Sequence, residues 1–333
     1  MDNETTKGVA KNDKKYIVFI VDGGIGKHIV STAVIRAAKK QYPEKEIVVV
    51  SGYPDVYKFN PHVYRAYLIG NTPYIYEDYI KDAIVLKSQP YYHNEYISGT
   101  KHIVECWCEQ LNLKFDGVKP EIVLSSKEDK MGDMFRTQHG KPILLMQVTG
   151  GAPPQIVGCD CNDPNCEHKD KPRIMPAPKM FIRNLPVQTA KNVSDELAAN
   201  YKPILIALDT QASWMLNSGE QVEHISAPIR QLFAAIKHSN KLLFIDSFAQ
   251  HAAAALGRKA VVLWGSTNPK TLGYDMHTNL SRNVCDTPHC DRPNSFLFDT
   301  DFKNQPWECP YSEACMNHDV LKIVQALNGE KAN

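Results

Sequence analysis

The stretch "FIDSFAQHAAAALGRKAVVLWGSTNP", Phe244 to Pro269, decides the fold. One apolar run ends at Asp246, an alanine-rich segment follows, and a second apolar run ends at Gly265. Such runs are typical of parallel strands that are buried on both faces. The stretch therefore predicts a strand, a helix capped by Ser247 and a second strand. The first amides of this helix and its positive dipole end would face the edge of the sheet, which suits a diphosphate.

This pattern alone does not separate a ligand site from ordinary packing, because every parallel α/β protein begins helices at strand ends. The same alternation of strand and helix fills the rest of the chain, which predicts two α/β domains with a cleft between the carboxyl ends of their strands. We expect strands at 16–21, 46–51, 64–69, 83–86, 141–148, 203–208, 242–246 and 260–265, and helical segments at 29–42, 95–113, 228–238 and 249–256.

The length and composition of the chain predict two domains. Its net charge is close to zero and so gives no reason to expect a nucleic acid or an acidic lipid as partner. The chain has 333 residues, of which 43% are hydrophobic and 23% charged, and its formal net charge is +1. We place the domain boundary at residue 140, after a polar segment, so that residues 15–140 form an acceptor-side domain and 141–333 a donor-side domain. Residues 1–14 are polar and are expected to be a disordered lead-in rather than a secretory signal. No run of about 18 apolar residues occurs, and the odd count of 9 cysteines fits a reducing compartment, so we expect a cytoplasmic protein.

The sequence resembles the ADP-heptose:lipopolysaccharide heptosyltransferase family. The motifs that carry the resemblance are Asp246-Ser247-x-x-x-His251 with its alanine-rich helix, Gly265-x-Thr267-x-Pro269, the turn Gly23-Gly24-Ile25-Gly26, and a terminal group of cysteines. The resemblance covers most of residues 15–325. It implies a GT-B fold, in which two Rossmann-like domains face each other and the second holds most of a nucleotide sugar.

The resemblance also implies roles for individual residues. Ser247 and His251 match positions that approach the donor diphosphate, and Thr267 matches a loop beside the nucleotide. Arg183 falls where the family usually has a lysine, so it is the candidate cation for the leaving diphosphate. Phe248 departs from the pattern, because the family has a glycine after the Asp-Ser pair. The complete predicted set of ligand-binding residues is Gly24, Gly26, Lys27, Thr149, Ser247, His251, Gly265 and Thr267.

The turn in "VDGGIGKHIV", Val21 to Val30, departs from the family at the position that matters for catalysis. The family has an aspartate after the last glycine, thought to be the general base, and this chain has Lys27. A charged ammonium accepts no proton. Asp22 is our first candidate for the base and His28 the second; alternatively, Asp22 only caps the turn and Lys27 is a solvated helix-start residue. The turn lacks the lysine-serine ending of a P-loop, so we interpret it as the acceptor-facing floor.

Two groups of cysteines are candidate metal sites. The segment "GCDCNDPNCEHKDKPR" at 158–173 lies in an insert spanning 152–178, and its ligand spacing predicts a structural Cys3His zinc site. Disulfides or buried thiols are the alternative for the second, more widely spaced group. The insert is also locally basic, which favours an acidic acceptor. The predicted ligands are Cys159, Cys161, Cys166 and His168 in the first group and Cys285, Cys290, Cys309 and Cys315 in the second.

The leading functional hypothesis is a glycosyltransferase that moves a sugar from a nucleoside-diphosphate sugar to an acceptor hydroxyl. The catalytic candidates are Asp22, His28 and Arg183. The acceptor implied by the resemblance is a lipopolysaccharide core sugar, and the competing acceptor is a hydroxymethylated base in viral DNA. Two further hypotheses compete with an enzyme: a non-catalytic nucleotide-sugar-binding protein and a zinc-dependent nucleic-acid module.

Overall fold

The computed structural model describes residues 15–70, 72–150, 155–157, 173–175, 183–207, 223–286, 288–290, 309 and 311–330. These residues form two parallel β-sheets, of four and six strands, with helices packed against them. The α/β prediction and the two-lobed arrangement are therefore confirmed. No helix within the described ranges is both long and apolar enough to cross a membrane.

The first sheet has the strand order β3-β2-β1-β4, and all of its pairs are parallel. Its central strand β1 is almost wholly apolar, and the helix α1 that follows buries an aliphatic stripe against it. Because β2 and β4 lie on opposite sides of β1, the chain changes direction across the sheet at the β1–β4 edge. The strands are β1 (Tyr16–Val21), β2 (Glu46–Ser51), β3 (Arg65–Leu68) and β4 (Ile84–Leu86), and the helices of this half are α1 (Ile25–Gln41), α2 (Asn94–Ile97), α3 (Ile103–Gln110) and α4 (Ser126–Thr137).

The second sheet has the order β12-β11-β10-β5-β8-β9, again with parallel pairs. Its direction changes between β5 and β10, whose side chains are almost entirely buried. A short antiparallel pair, β6 and β7, stands apart from it, within the predicted insert. The strands are β5 (Ile143–Gln147), β6 (Gln155–Val157), β7 (Arg173–Met175), β8 (Lys202–Ile206), β9 (His224–Ile225), β10 (Lys241–Ile245), β11 (Val261–Trp264) and β12 (Thr278–Ser281). The helices are α5 (Val187–Leu197), α6 (Ile229–His238), α7 (Phe248–Ala255), α8 (Pro269–Leu272) and α9 (Val320–Asn328).

The two halves share one apolar core, in which residues of both sheets belong to a single buried cluster. Helices α1 and α7 approach most closely at Gly26, where an added Cβ would lie 3.1 Å from Cδ2 of His251. A larger side chain would therefore press on a buried ring. This close approach places the amino-terminal ends of α1 and α7 side by side at the cleft.

A buried guanidinium also links the halves. Arg230, on α6, donates two hydrogen bonds of 2.7 Å to the carboxylate of Glu128 on α4 and a third to the carbonyl oxygen of Val123. Glu128 completes a capping box with Ser125, and the Arg230 guanidinium lowers the pKa of its carboxyl to about 2. A charge-assisted contact of this kind fixes the connecting helix α4 against the second half.

One local prediction was wrong, and one helix was not predicted. The helical pattern at 95–113 forms two short helices, because Gly99 adopts a φ of +72° and His102 caps a new helix at Ile103. The polar segment before residue 140 contains the helix α4. This helix has few apolar residues, and the capping box at its start stabilises it. Most of the strand predictions agree with the structure to within one or two residues.

Candidate active site

A cavity of about 1030 Å³ lies between the two sheets, at the carboxyl ends of their strands. This volume is at the upper end of the range of about 300–1,000 Å³ that is typical of small-molecule sites. Its floor in the first half is the turn Gly23 to Lys27, and its wall in the second half includes Thr149, Asp246 and Ser247. The cavity therefore lies at the points where both sheets change direction, which is where ligands bind in open α/β sheets.

The second-half wall is built around the start of α7. Ser247 occupies the N-cap position as predicted, but its side chain makes no capping hydrogen bond. Instead, Oε1 of Gln147, at the end of β5, accepts a hydrogen bond of 3.3 Å from the amide of Ala249. Because the cap comes from a neighbouring strand, the Ser247 hydroxyl stays in the cavity lining, beside the amides of the first turn.

Arg183 lines the same wall. Its Nη1 lies 3.3 Å from the backbone oxygen of Asp246 and 3.5 Å from Oδ2 of that residue. The Asp246 side chain is buried, so the guanidinium is held at the end of β10, next to the start of α7. This places a fixed positive charge where the sequence predicted a cation for the leaving diphosphate.

Two threonine hydroxyls in the cavity have no partner among the described residues. Thr149 and Thr267 are 5% and 6% exposed, and Oγ1 of each lacks a hydrogen bond. An unpaired buried hydroxyl carries a desolvation penalty, so folded proteins satisfy most of them. Two such groups in one cavity wall indicate a polar ligand that completes them.

His251 is buried in the cavity wall, and its Nδ1 lies 2.8 Å from the hydroxyl oxygen of Tyr274. Burial lowers the pKa of His251 to about 3, so the imidazole is neutral near neutral pH. Any contact of His251 with a phosphate oxygen is therefore a hydrogen bond between a neutral donor and an anion, rather than an ion pair.

On the first-half floor, Lys27 is a buried residue rather than a solvated one. Its side chain is 3% exposed, and its Nζ lies 2.6 Å from Oδ1 of Asp22 and 2.7 Å from Oε1 of Gln89. The rings of Trp107 and Tyr91 lie 5.6 and 5.9 Å from the ammonium. Burial lowers the pKa of Lys27 although the Asp22 carboxylate opposes this effect, and Lys27 in turn lowers the pKa of Asp22. The alternative of a solvated Lys27 is therefore wrong.

Asp22 and His28 occupy different environments. The Asp22 side chain is 49% exposed beside the cavity floor. His28 is fully buried, and its two ring nitrogens lie 2.9 and 3.0 Å from the backbone oxygens of Gly24 and Val21. Its ring is turned into the protein, where it supports the glycine turn and contacts Tyr53 edge-on. Neither Asp22 nor His28 is part of the cavity lining, and of the two it is Asp22 whose side chain is open to solvent.

The structure brings most of the predicted ligand-binding residues to one cavity, while Gly265 is not part of its lining. Sequence reasoning missed several lining groups, because each belongs to a segment without a recognisable motif. Gln147 ends a strand that looked purely apolar, and the tyrosines come from connecting segments. The missed lining residues include Tyr53, Tyr91, Tyr96 and Gln147.

The second cysteine group is only partly assembled. Cys315 is influenced electrostatically by Cys285, Cys290 and Cys309, and burial raises the pKa of its thiol to about 11. None of the four forms a disulfide bond with another described cysteine. In the described part of the chain, the set of three donor atoms found within 4.8 Å of one another is His93, Glu95 and Glu109, so no three of these sulfurs lie that close together. The residues of the first predicted zinc site, Cys159, Cys161, Cys166 and His168, lie outside the described residues.

The sequence matches no protein-family model and no curated protein sequence. Solved structures are similar to it in three dimensions. A glycosyl transferase family 9 protein from Veillonella parvula superposes with a TM-score of 0.60 at 14% identity, over 95% of this chain and 97% of that one. ADP-heptose lipopolysaccharide heptosyltransferase II from Escherichia coli superposes with a TM-score of 0.56 at 12% identity, over 81% and 92%.

A third similar structure is TibC, a dodecameric iron-containing heptosyltransferase from enterotoxigenic E. coli, in complex with ADP-D-β-D-heptose. It has a TM-score of 0.58 at 10% identity, over 95% of this chain and 76% of that one. At these low sequence identities, the superpositions establish a shared fold and nothing finer. The chain thus has the two-lobed GT-B fold of these glycosyltransferases.

Proposed function

We propose that this protein is a glycosyltransferase that moves a sugar from a nucleoside-diphosphate sugar to an acceptor hydroxyl. The observation that carries the proposal is the interlobe cavity, in which Arg183, the start of α7 and the unpartnered hydroxyls of Thr149 and Thr267 line one wall. These groups suit a diphosphate, because they offer a fixed cation and hydrogen-bond donors in a partly buried setting. Similarity of fold to sugar-nucleotide transferases supports the same assignment.

In this mechanism the donor diphosphate lies against the second half. Arg183 neutralises part of its charge, and the amides at the start of α7 and the Ser247 hydroxyl bind phosphate oxygens. His251 supplies a neutral hydrogen bond. As the bond between the sugar C1 and the phosphate oxygen breaks, the electron pair stays on the diphosphate, where these groups stabilise the added charge.

The acceptor lies against the first half, with its hydroxyl beside Asp22. The acceptor oxygen forms the new bond to C1, and its proton passes to the Asp22 carboxylate. The Lys27 ammonium donates hydrogen bonds to Oδ1 of Asp22 and to Oε1 of Gln89. Its positive charge keeps the Asp22 carboxylate ionised, and these hydrogen bonds keep it in place. In this assignment the base stands at the end of β1, five residues before the position that the family resemblance implies.

Two acceptors remain candidates, a lipopolysaccharide core sugar and a hydroxymethylated base in DNA. The first follows from the resemblance and from the heptosyltransferase structures. The second follows from the basic insert and from the absence of the family's aspartate after the last glycine of the turn, where this chain has Lys27. A DNA acceptor predicts that binding weakens steeply with added salt, whereas a small sugar acceptor predicts a shallow dependence.

A structural metal at the cysteines is a second part of the proposal. Sulfur donors suit zinc or iron, and TibC is described as iron-containing. We assign one ion to Cys285, Cys290, Cys309 and Cys315, and a zinc ion to Cys159, Cys161, Cys166 and His168. Elemental analysis of the purified protein tests both: Cys315→Ser should remove one equivalent of metal, and Cys161→Ser a separate one.

The non-catalytic hypothesis rests on Lys27 and Phe248, which replace residues typical of the family. A screen of nucleotide sugars by thermal shift tests the donor site, because a tight ligand raises the melting temperature with the logarithm of its concentration. Slow hydrolysis of the stabilising donor, lost in Arg183→Gln, would exclude the non-catalytic hypothesis. If no nucleotide sugar or nucleoside diphosphate raises the melting temperature, the proposed function is wrong.

A further inference from the structure

Three histidine rings surround the side chain of Tyr274, which follows α8. Their centroids lie 5.6 or 5.7 Å from the centroid of the tyrosine ring, and the residues are His102, His251 and His277. Tyr274 is only 4% exposed, so its hydroxyl group needs a hydrogen-bond partner inside the protein. A neutral imidazole can accept the hydroxyl proton on whichever of its two ring nitrogens carries no proton.

Backbone groups already engage both ring nitrogens of two of these histidines. In His102, Nδ1 lies 3.2 Å from a backbone amide nitrogen and Nε2 lies 3.1 Å from a backbone oxygen. In His277 the corresponding distances are 3.2 and 3.0 Å. A backbone amide only donates and a backbone oxygen only accepts, so both rings carry their proton on Nε2. Neither ring therefore has a nitrogen to offer to Tyr274.

His251 is the ring that meets the Tyr274 hydroxyl, with Nδ1 at 2.8 Å from the hydroxyl oxygen. Within the described part of the chain, this is the hydroxyl's one hydrogen bond. A proton on Nδ1 would leave the proton of the buried hydroxyl without an acceptor there, which costs free energy. The hydroxyl of Tyr274 therefore donates and Nδ1 accepts, so the proton of the neutral imidazole lies on Nε2.

The side-chain amide of Gln250 also lies near this ring, but it does not decide the tautomer. Its nitrogen is 3.2 Å from both ring nitrogens of His251, and it donates a hydrogen bond of 3.0 Å to the Leu272 oxygen. The lone-pair directions of the two ring nitrogens diverge, so an amide at equal distance from both is aligned with neither. Tyr274, in contrast, contacts Nδ1 alone.

The Nε2 side of the His251 ring faces the cleft. A Cβ added at Gly26 would lie 3.1 Å from Cδ2 of His251 and 3.6 Å from its Nε2, and both residues line the cavity. The Nδ1 atom contacts Tyr274, which is not part of the cavity lining. A proton on Nε2 is therefore available to a ligand in the cleft, and a proton on Nδ1 is not.

We propose that Tyr274 is a positioning residue of the donor site: its hydroxyl holds His251 as the Nε2–H tautomer and directs this N–H at the donor diphosphate. The inference rests on the proposed function and adds the group that sets one of its hydrogen bonds. The same contact holds the ring against a half turn about its Cβ–Cγ bond, which would put a carbon in the place of Nε2. Tyr274 touches no substrate, so it acts through His251.

Nitrogen-15 NMR of the histidine rings in the free protein tests the tautomer, because protonated and unprotonated ring nitrogens differ widely in chemical shift. The signals of His251 are identified by their loss in His251→Gln. The wild type should have a protonated Nε2 and an unprotonated Nδ1, and Tyr274→Phe should shift the Nδ1 signal. The control is Tyr57→Phe, which removes a buried hydroxyl 2.9 Å from Oγ of Ser31 and outside the cavity lining, and should leave both signals in place. A proton on Nδ1 in the wild type would overturn the proposal.

Isothermal titration with ADP and with pyrophosphate tests the contact with the ligand. Tyr274→Phe should weaken binding roughly threefold to tenfold, the size of one hydrogen bond, and Tyr57→Phe should not. His251→Gln brings an amide N–H near the place of Nε2, so it should keep more affinity than His251→Asn, whose shorter amide reaches only the place of Nδ1. In the His251→Gln background, Tyr274→Phe should cause no further loss, because the group through which it acts is gone.

The outcomes separate this inference from the proposed function. An equal loss from Tyr274→Phe in the wild-type and His251→Gln backgrounds would indicate a packing effect and contradict the positioning role. Tighter binding by His251→Asn than by His251→Gln would contradict the assignment of the proton to Nε2. If the wild type binds ADP and Tyr274→Phe binds it equally well, the inference is wrong and the glycosyltransferase assignment stands. If no nucleoside diphosphate binds the wild type, the proposed function fails, and the diphosphate contact of His251 fails with it.

Discussion

The Nζ of Lys27, a residue of the cleft floor, lies 2.6 Å from Oδ1 of Asp22. One partner is buried and the other is half exposed, so the lysine is a fixed element of the fold while the carboxylate remains available to a ligand. The pair explains how a lysine can stand in the glycine turn: its charge is used inside the protein to hold Asp22.

Replacing Asp22 by Asn should lower the rate of sugar transfer roughly 100-fold or more, the usual contribution of a general base. Donor affinity, measured by thermal shift with a nucleoside diphosphate, should change little, because Asp22 lies on the opposite half from the proposed diphosphate groups. Asp55→Asn serves as a control, because the Asp55 side chain is 47% exposed and also pairs with a lysine, Lys58, at 2.6 Å. Unchanged transfer in Asp22→Asn would remove Asp22 from catalysis.

Replacing Lys27 by Met should move the acidic limb of the activity profile to higher pH. Lys27 is the main cause of the lowered pKa of Asp22, so its loss lets that pKa rise and protonates the base at a higher pH. Transfer rates measured between pH 4 and 8 should therefore fall earlier on acidification. An acidic limb that stays where it is would show that Lys27 does not set the charge of Asp22.

Replacing Thr149 or Thr267 by Val should weaken nucleotide binding several-fold, about 1 kcal/mol per hydrogen bond, with little effect on the melting temperature of the free protein. Neither substitution breaks a hydrogen bond of the free protein, because neither hydroxyl has a partner among the described residues. Thr32→Val is the contrast, since Oγ1 of Thr32 donates to the Ile29 oxygen and accepts from the Glu121 amide. That variant should be destabilised, by about 1–3 kcal/mol. Equal destabilisation in all three would mean that the cavity hydroxyls have structural partners.

Replacing Arg183 by Gln should lower the transfer rate by roughly 100-fold, in the range found for a lost group that stabilises transition-state charge. Because Asp246 is buried beside it, the free energy of unfolding must be measured in parallel. Arg183→Lys keeps the charge and loses the planar geometry, so it should recover part of the rate. A full rate in Arg183→Gln would reassign the cation of the donor site.

Stability should fall on mild acidification. Burial lowers the pKa of His102 to about 4, and its Nδ1 accepts a hydrogen bond from the Val104 amide. The unfolded chain, with a pKa of about 6.5, binds the proton first, so this stabilisation is complete above pH 6.5 and is lost as the pH falls toward 4, at up to roughly 1.4 kcal/mol per pH unit. His102→Asn should make the stability curve shallower in this window. An unchanged slope in His102→Asn would contradict this prediction.

The amino-acid sequence by itself determined the architecture and the donor-side wall. Apolar runs followed by small residues and a helix start are local features of the sequence. The α/β lobes follow from them, because a parallel sheet covered by helices buries both faces of each apolar run. Ser247, His251 and Thr267 were found for the same reason, since each belongs to a motif at a strand end. The prediction that the Ser247 side chain caps α7 was wrong. The side chain of Gln147, at the end of β5, accepts the hydrogen bond from the Ala249 amide instead.

The acceptor-side chemistry was decided only by the tertiary structure. No pattern in the sequence shows that Lys27 would be buried against Gln89 and the ring of Trp107, because these two residues come from other segments of the chain. Charge pairing and burial depend on distance in space, and the distance between segments far apart in the chain is set by how the sheets and helices pack.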